Sequence, residues 1–216
     1  MKSIYPVLLA VALLFTAGCK QREGENQRQP QTDVISVETL SAESVPQIAA
    51  VGDSVAKTLL KTLKQELLSA IEASGPVGAV EVCNVKALPL TETVARQAGM
   101  PVSVKRTSLK VRNPQNRPDS LELNVLRIFE QAKEAGSPLP PNVIQKIVKG
   151  DTVKFRYYKP LEIAPLCVNC HGEPEYLSRE LKARLKALYP EDQAVGYKVG
   201  DFRGVIRVEM VQPGAD

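Results

Sequence analysis

The 216-residue sequence predicts an α+β domain, and three observations carry that prediction. Apolar residues recur every three and four positions near residues 55–71 and 121–132, the period of helices buried along one face. Other stretches, near 102–107, 144–161 and 205–208, alternate or run apolar over strand-like lengths. Helices come first and a further one interrupts the strands, so the pattern is not one of regular strand–helix alternation. A mostly antiparallel sheet is expected.

The elements follow in order. Val55, Leu59, Leu60, Leu63, Leu67 and Ile71 mark an amphipathic helix that Asp53 or Ser54 can cap and that Gly75-Pro76 stops. A second helical stretch runs from about Val77 to Gly99, and Pro89 is expected to kink it because it lacks a backbone donor. Val102, Val104 and Arg106 alternate with Ser103, Lys105 and Thr107, which suits a strand. Residues 112–118, Arg-Asn-Pro-Gln-Asn-Arg-Pro, read as a loop. Leu121, Val125, Ile128, Phe129 and Ala132 give another helix, ending near Gly136. Ile144–Val148 and Val153–Leu161 flank Lys149-Gly150-Asp151-Thr152 as a hairpin. Leu181, Leu185 and Leu188 mark a helix, and Gly200–Met210 supplies the last strand.

The N-terminus suggests an exported chain. Lys2 precedes an apolar run, Tyr5 to Phe15, that is too short to span a bilayer. It ends in Leu14-Phe15-Thr16-Ala17-Gly18-Cys19, which resembles a bacterial lipoprotein signal cleaved before Cys19; an ordinary secretory signal or an uncleaved anchor is the alternative. Lys20 stands where an inner-membrane retention signal usually has aspartate, pointing to the periplasmic side of the outer membrane in a bacterial cell envelope. The expected organisation is a signal peptide over 1–18, a polar tether over 19–50 and one domain over 51–213. The net charge of +4 is spread thinly and the chain has no tryptophan, so nucleic acid is not an expected partner.

The chemistry concentrates in Cys167-Val168-Asn169-Cys170-His171, which holds the sole histidine of the chain. C-x-x-C-H is the attachment signature of a c-type haem. Two thiols form thioethers with the vinyl groups and the adjacent imidazole becomes the proximal iron ligand. One covalent haem c is therefore the expected cofactor, and its attachment outside the cytoplasmic membrane agrees with export. A Cys3His zinc site from Cys83, Cys167, Cys170 and His171 competes, but neighbours such as Cys170 and His171 rarely point at one tetrahedral ion. A redox disulfide between Cys167 and Cys170 would lack its usual βαβ setting and leave His171 unexplained.

No second histidine exists for the far side of the iron. Met100, Met210, Cys83, a lysine, a tyrosine or no protein ligand remain open. With Cys19 assigned to lipid and Cys167 and Cys170 to haem, Cys83 is the unpaired thiol. It is equally a small core residue by composition. Ala79, Val80 and Ala87 share roughly its helical face and would let a flat porphyrin approach closely.

Several segments, taken in order, resemble a bacterial family of single-haem c-type domains with a PAS-like fold. They include Val82-Cys83-Asn84, Arg106-Thr107-Ser108-Leu109-Lys110, Arg112-Asn113-Pro114-Gln115-Asn116, Tyr157-Tyr158-Lys159-Pro160, Cys167–Gly172, Tyr189-Pro190, Asp192–Tyr197 and Gly200–Gly204. The resemblance implies iron held by His171 and a distal Cys83, although Asn84 stands where the family often has serine. Given haem, Arg106 and Arg112 become candidate partners for the propionates, with Asn113 and Tyr157 as weaker donors.

The expected function is electron transfer, or sensing of redox state or a small gas, by a lipid-anchored six-coordinate haem protein that meets an unidentified redox or signalling partner protein. An enzyme is not expected: a peroxidase or nitrite- or NO-processing haem needs an open distal site with an acid–base group. A conventional His/Met electron carrier is the other alternative. If Cys19 carries lipid, Cys19→Ser will release the domain from membranes or leave an unprocessed precursor, and unchanged lipid labelling of that variant would rule the assignment out.

Overall fold

The computed structural model describes residues 35–211. The signal peptide expected over 1–18, Cys19 and the first part of the expected tether lie outside the described residues. Five strands form one antiparallel sheet in the order β1-β3-β4-β5-β2. The strands are β1 (Ile35–Leu40), β2 (Val102–Thr107), β3 (Val143–Lys149), β4 (Thr152–Glu162) and β5 (Phe202–Val211). The helices are α1 (Pro46–Arg96), α2 (Ser120–Glu134), α3 (Val168–His171) and α4 (Arg179–Leu188).

Two stretches differ from expectation at the front. Ile35–Leu40 belongs to the sheet rather than to a tether, pairing with β3 from Ile35↔Lys149 to Leu40↔Ile144. As an edge strand it is held by ladder hydrogen bonds and leaves nearly all its side chains in solvent, so its polar composition hides it. Helix α1 starts at Pro46, whose missing N–H is no loss in a first turn. Asp53 does not cap it. Its carboxylate instead fastens the helix to β4, accepting from Lys159 Nζ at 2.8 Å and Tyr157 Oη at 3.2 Å. Burial alone would raise the Asp53 pKa, but the hydrogen bonds of Lys159 and Lys57, the Lys159 charge and the Tyr157 hydroxyl together bring it down to about 2.

Gly75 breaks α1 with φ 67° and ψ 179°, a conformation that only glycine adopts readily. Twenty residues apart, Lys86 and Glu66 form an ion pair. In a straight helix they would lie about 30 Å apart, so the chain folds back at Gly75 into a helical hairpin. Pro89 leaves its surroundings helical, since Gly75 is the non-helical residue within α1. Pro89 lies on an exposed face beside Val85, which is 64% exposed, and there the carbonyl it leaves unpaired meets water.

The sheet is covered on both faces. On one, Val55, Ala56 and Leu59 of α1 pack with Ile144, Phe155, Tyr157, Ile206 and Val208. On the other, Val125, Leu126 and Phe129 of α2 pack with Val143, Tyr158 and Val205. Each of these large side chains contributes about 1.5–3 kcal/mol by leaving water. Strand alternation sorts the residues: Val102, Val104 and Arg106 face α1, while Lys105 reaches Glu122 of α2 at 2.7 Å. Glu122 is buried and also closes a capping box with Asp119. Arg207 Nε stands 3.2 Å from Glu122 Oε1 but out of line for a hydrogen bond. The β3–β4 hairpin turns through Gly150 at φ 55° and Asp151, as its composition predicts.

Helix α4 packs on the second half of α1, with Leu177, Leu181, Leu185 and Tyr189 around Val80. Arg184 pairs with Glu81 across that contact at 2.6 Å. Among the described residues no helix is long and apolar enough to cross a membrane.

Helix α1 comes close to the sheet at Gly52, where an added Cβ would stand 2.2 Å from the Tyr157 ring. Gly52→Ala must push the helix or the buried Tyr157 aside. The expected loss is about 1–3 kcal/mol, read as a lower urea midpoint with an unchanged slope; an unchanged midpoint would mean that the helix is free to lift.

Candidate functional site

Below the fold-back of α1 and beyond the end of the sheet lies a cavity of about 290 Å³, at the small end of the range for small-molecule sites. One wall is apolar and comes from both halves of α1: Leu63, Leu67 and Ile71 from the first, Ala79, Val80, Cys83 and Ala87 from the second. Ala79, Cys83 and Ala87 recur at four residues and so form one stripe, as the sequence suggests. The lining also includes Cys167, which caps α3, Cys170 and His171 of α3, and Arg106, Arg112, Arg203 and Tyr189.

The short α3 gives the motif its geometry. Cys170 N and His171 N both donate to Cys167 O, at 3.2 and 3.0 Å, closing one turn that sets both cysteines on one side. Gly172 ends it; a Cβ there would stand 2.6 Å from Val168 O. The loop after α4 then runs alongside, with Gly196 N donating to Gly172 O at 2.9 Å and Tyr197 N to His171 O at 3.0 Å. Tyr197 also meets the His171 ring edge-on at 87° and 6.3 Å.

His171 Nδ1 lies 2.7 Å from Ala194 O. A carbonyl oxygen only accepts, so Nδ1 carries the hydrogen and Nε2 keeps its lone pair. Burial, and then the positive charges of Arg112 and Arg203, push the His171 pKa well below its ordinary value against the opposing Ala194 bond. The ring is therefore neutral at physiological pH, the form in which imidazole binds a metal. Its tautomer is fixed by a backbone partner, the usual arrangement behind a metal-ligating histidine.

Cys83, Cys167 and Cys170 are all free thiols. Burial pushes the Cys83 pKa up, with Arg106 and Arg112 opposing and Glu66 adding to the rise. Burial also raises Cys170. Among the described residues no three His, Cys, Asp or Glu side chains are grouped so as to hold a metal ion, so Cys83, Cys167, Cys170 and His171 do not form the Cys3His cluster that zinc requires. Met100 and Met210 are elsewhere: Met210 is buried in the α1 face of the sheet and Met100 packs against the same core.

The arginines divide by role. Arg112 is engaged with protein through two nitrogens: Nε donates to Asp192 Oδ2 at 3.0 Å, and Nη2 to Cys170 O at 2.7 Å and Ala194 O at 3.1 Å. Arg106 is the opposite case, with a buried Nε that has no partner and a neighbour, Thr107, whose Oγ1 is also unpartnered. Burial pushes its pKa down, relieved by Cys83 and worsened by Arg203. A buried guanidinium without an acceptor is costly, so this wall suits a ligand that brings anionic oxygens. Asn113 lines the cavity, but its Oδ1 accepts from Gln115 N at 3.0 Å and holds the turn Pro114–Asn116. Tyr157 does not line the cavity; it is buried under α1 with its hydroxyl on Asp53.

Arg203 is a cavity residue that strand periodicity does not reveal. Leu161 pairs with Gly204 and Glu162 with Phe202, so Arg203 is the extra residue of a bulge. The bulge aims its side chain into the cavity, where Nη1 donates to Lys110 O at 3.1 Å and the guanidinium lies 5.5 Å from the Tyr197 ring centre. Gly204 allows this approach, because a Cβ would stand 2.3 Å from Thr107 O. Tyr189 and Asp192 are likewise site residues without a periodic signature.

A family model described as Tll0287-like matches residues 25–210. Among solved structures, one described as the crystal structure of the cyanobacterial heme-protein Tll0287 is similar over 82% of this chain and 100% of its own, with a TM-score of 0.52 and 22% identity. That likeness shows the fold. No curated protein matches the chain.

Proposed function

We propose that this chain, which belongs to the Tll0287-like family, is a monohaem c-type redox protein whose haem is covalently attached and held between His171 and Cys83. The observation that carries the reading is His171: its Nδ1 is committed to Ala194 O, which leaves Nε2 as the donor on a ring that lines the same cavity as Cys83. The solved protein of similar fold is a heme-protein, in keeping with this reading. We read the five-stranded sheet and its helices as PAS-like.

The residues suit the group. Leu63, Leu67, Ile71 and the Ala79–Cys83–Ala87 stripe offer an apolar wall to a porphyrin face. Arg106, whose Nε has no partner in the protein, would be the donor for a propionate, with Arg112 and Arg203 lining the same cavity. Cys167 and Cys170 would hold the group as thioethers, each formed by adding S–H across one vinyl double bond with the hydrogen going to carbon, which needs no oxidant. The bound iron supplies one-electron redox chemistry. Cys83 would have to lose its proton to bind, against the burial that pushes its pKa up; the positive charges of Arg106 and Arg112 oppose that rise.

If His171 and Cys83 both hold the iron, no open position would be left for an enzyme that activates peroxide or nitrite. Electron transfer, or sensing of redox state or a small gas, follows, with an unidentified partner protein receiving the electron or signal. The site of action in this proposal is the cell envelope, reached through lipid on Cys19.

Two experiments test this. After denaturation and acid–acetone extraction, the intact mass should exceed that of the polypeptide by one haem; colour that leaves with the organic phase sinks covalent attachment. The ferric protein should be low-spin with the paramagnetic resonance signature of sulfur ligation. Cys83→Ala should then give high-spin iron, or iron that binds water or added ligands, and a higher reduction potential, because a negative donor that favours Fe(III) is gone. A wild-type spectrum in Cys83→Ala would assign the sixth position to another residue.

A further inference from the structure

We infer that Arg112 is a positioning residue for the proximal imidazole: by sharing the Ala194 carbonyl with His171, it sets how strongly His171 donates to the iron. The inference rests on the haem reading above. Ala194 O accepts from two donors, His171 Nδ1 at 2.7 Å and Arg112 Nη2 at 3.1 Å. A carbonyl has two lone pairs and can serve both, but a cationic donor draws its electron density. The oxygen then pulls less on the Nδ1 hydrogen. The ring keeps less imidazolate character, gives less to Fe(III), and the reduction potential rises. The guanidinium charge acts in the same direction.

The surroundings hold this geometry closely. Asp192 grips both ends of the arrangement, with Oδ2 accepting from Arg112 Nε at 3.0 Å and Oδ1 from Ala194 N at 2.8 Å. Arg112 Nη2 also donates to Cys170 O at 2.7 Å, so the haem-attachment turn, the Ala194 peptide and the ion pair form one closed ring. The Arg112 and Asp192 side chains are only 13% and 10% exposed, so solvent does little to screen them. A planar guanidinium fork satisfies several acceptors at once, which an ammonium cannot do in the same geometry. Changes to groups behind a metal-ligating histidine typically act on the metal without touching it.

The test is the midpoint potential of purified protein with haem attached. Arg112→Gln should raise the ferric-to-ferrous ratio at a fixed solution potential about tenfold, which for one electron is about 59 mV lower. Arg112→Lys should fall between the two, because it keeps the charge and loses the fork. A wild-type potential in Arg112→Gln overturns the inference, and a wild-type potential in Arg112→Lys overturns it too, since charge alone would then account for the effect. If the Arg112 variants do not fold, Asp192→Glu decides. It keeps the negative charge of the pair and moves the guanidinium off Ala194 O, so the potential should fall; no change or a rise overturns the inference. Wild-type protein with no haem by mass would instead reject the haem reading itself, before any variant is compared.

Discussion

The fold-back of α1 at Gly75 is the constraint on which the site depends. A helix of 51 residues would run straight past a domain of this size. One residue with φ 67° turns it instead, so Leu63, Leu67 and Ile71 on one limb and Ala79, Cys83 and Ala87 on the other line the same cavity. The first limb is tied to the sheet by Asp53 and the Gly52–Tyr157 approach. The second is tied to α4 through Val80 and the Arg184–Glu81 pair. Cys83 reaches the cavity only because both attachments hold at once.

Charge in the cavity is arranged with a purpose that the protein alone does not satisfy. Arg106, Arg112 and Arg203 all line it, and only Arg112 has a carboxylate partner, Asp192. Burying guanidinium groups costs several kcal/mol each after relaxation. Arg112 offsets this with three acceptors; Arg106 Nε has none. The proposed haem brings the missing carboxylates, and its own burial supplies the apolar contact that the alanine stripe leaves unused.

Sequence reading reached the parts of this arrangement that are local. C-x-x-C-H specifies one turn of helix, and α3 is that turn. Apolar periods located α2, α4 and most of α1, and alternation located β2 to β5. It failed where the signal is not local. Ile35–Leu40 is a strand through its ladder to β3, not through burial. Arg203 enters the site through a bulge, which shifts a side chain by one residue without leaving a compositional trace. Arg112 and Tyr157 were candidate donors to haem propionates; Arg112 does line the cavity, and Tyr157 does not. Their actual partners, Asp192 and Asp53, lie 80 and 104 residues away in sequence. Long-range pairing of that kind has no signature in a single chain.

The two proposed axial ligands differ in how firmly they are held, and that difference bears on carrier against sensor. His171 is fixed by Ala194 O at its ring, by Tyr197 N at its carbonyl and by Cys167 O at its amide, and its turn is clamped by Arg112 at Cys170 O. Cys83 sits in mid-helix on a limb whose only covalent link to the first is Gly75, a residue with open space around its missing Cβ. Packing on α4, Val94 in the core on the α1 face of the sheet, and two ion pairs, one to Glu66 and one to Arg184, hold that limb in place. Both pairs reach solvent and so contribute at most about 1 kcal/mol each. A displacement of Cys83 would be transmitted along the second limb to α4, which packs around Val80. A carrier needs that limb to stay packed in both oxidation states. A sensor needs it to move, and α4 is the surface on which the movement would be read.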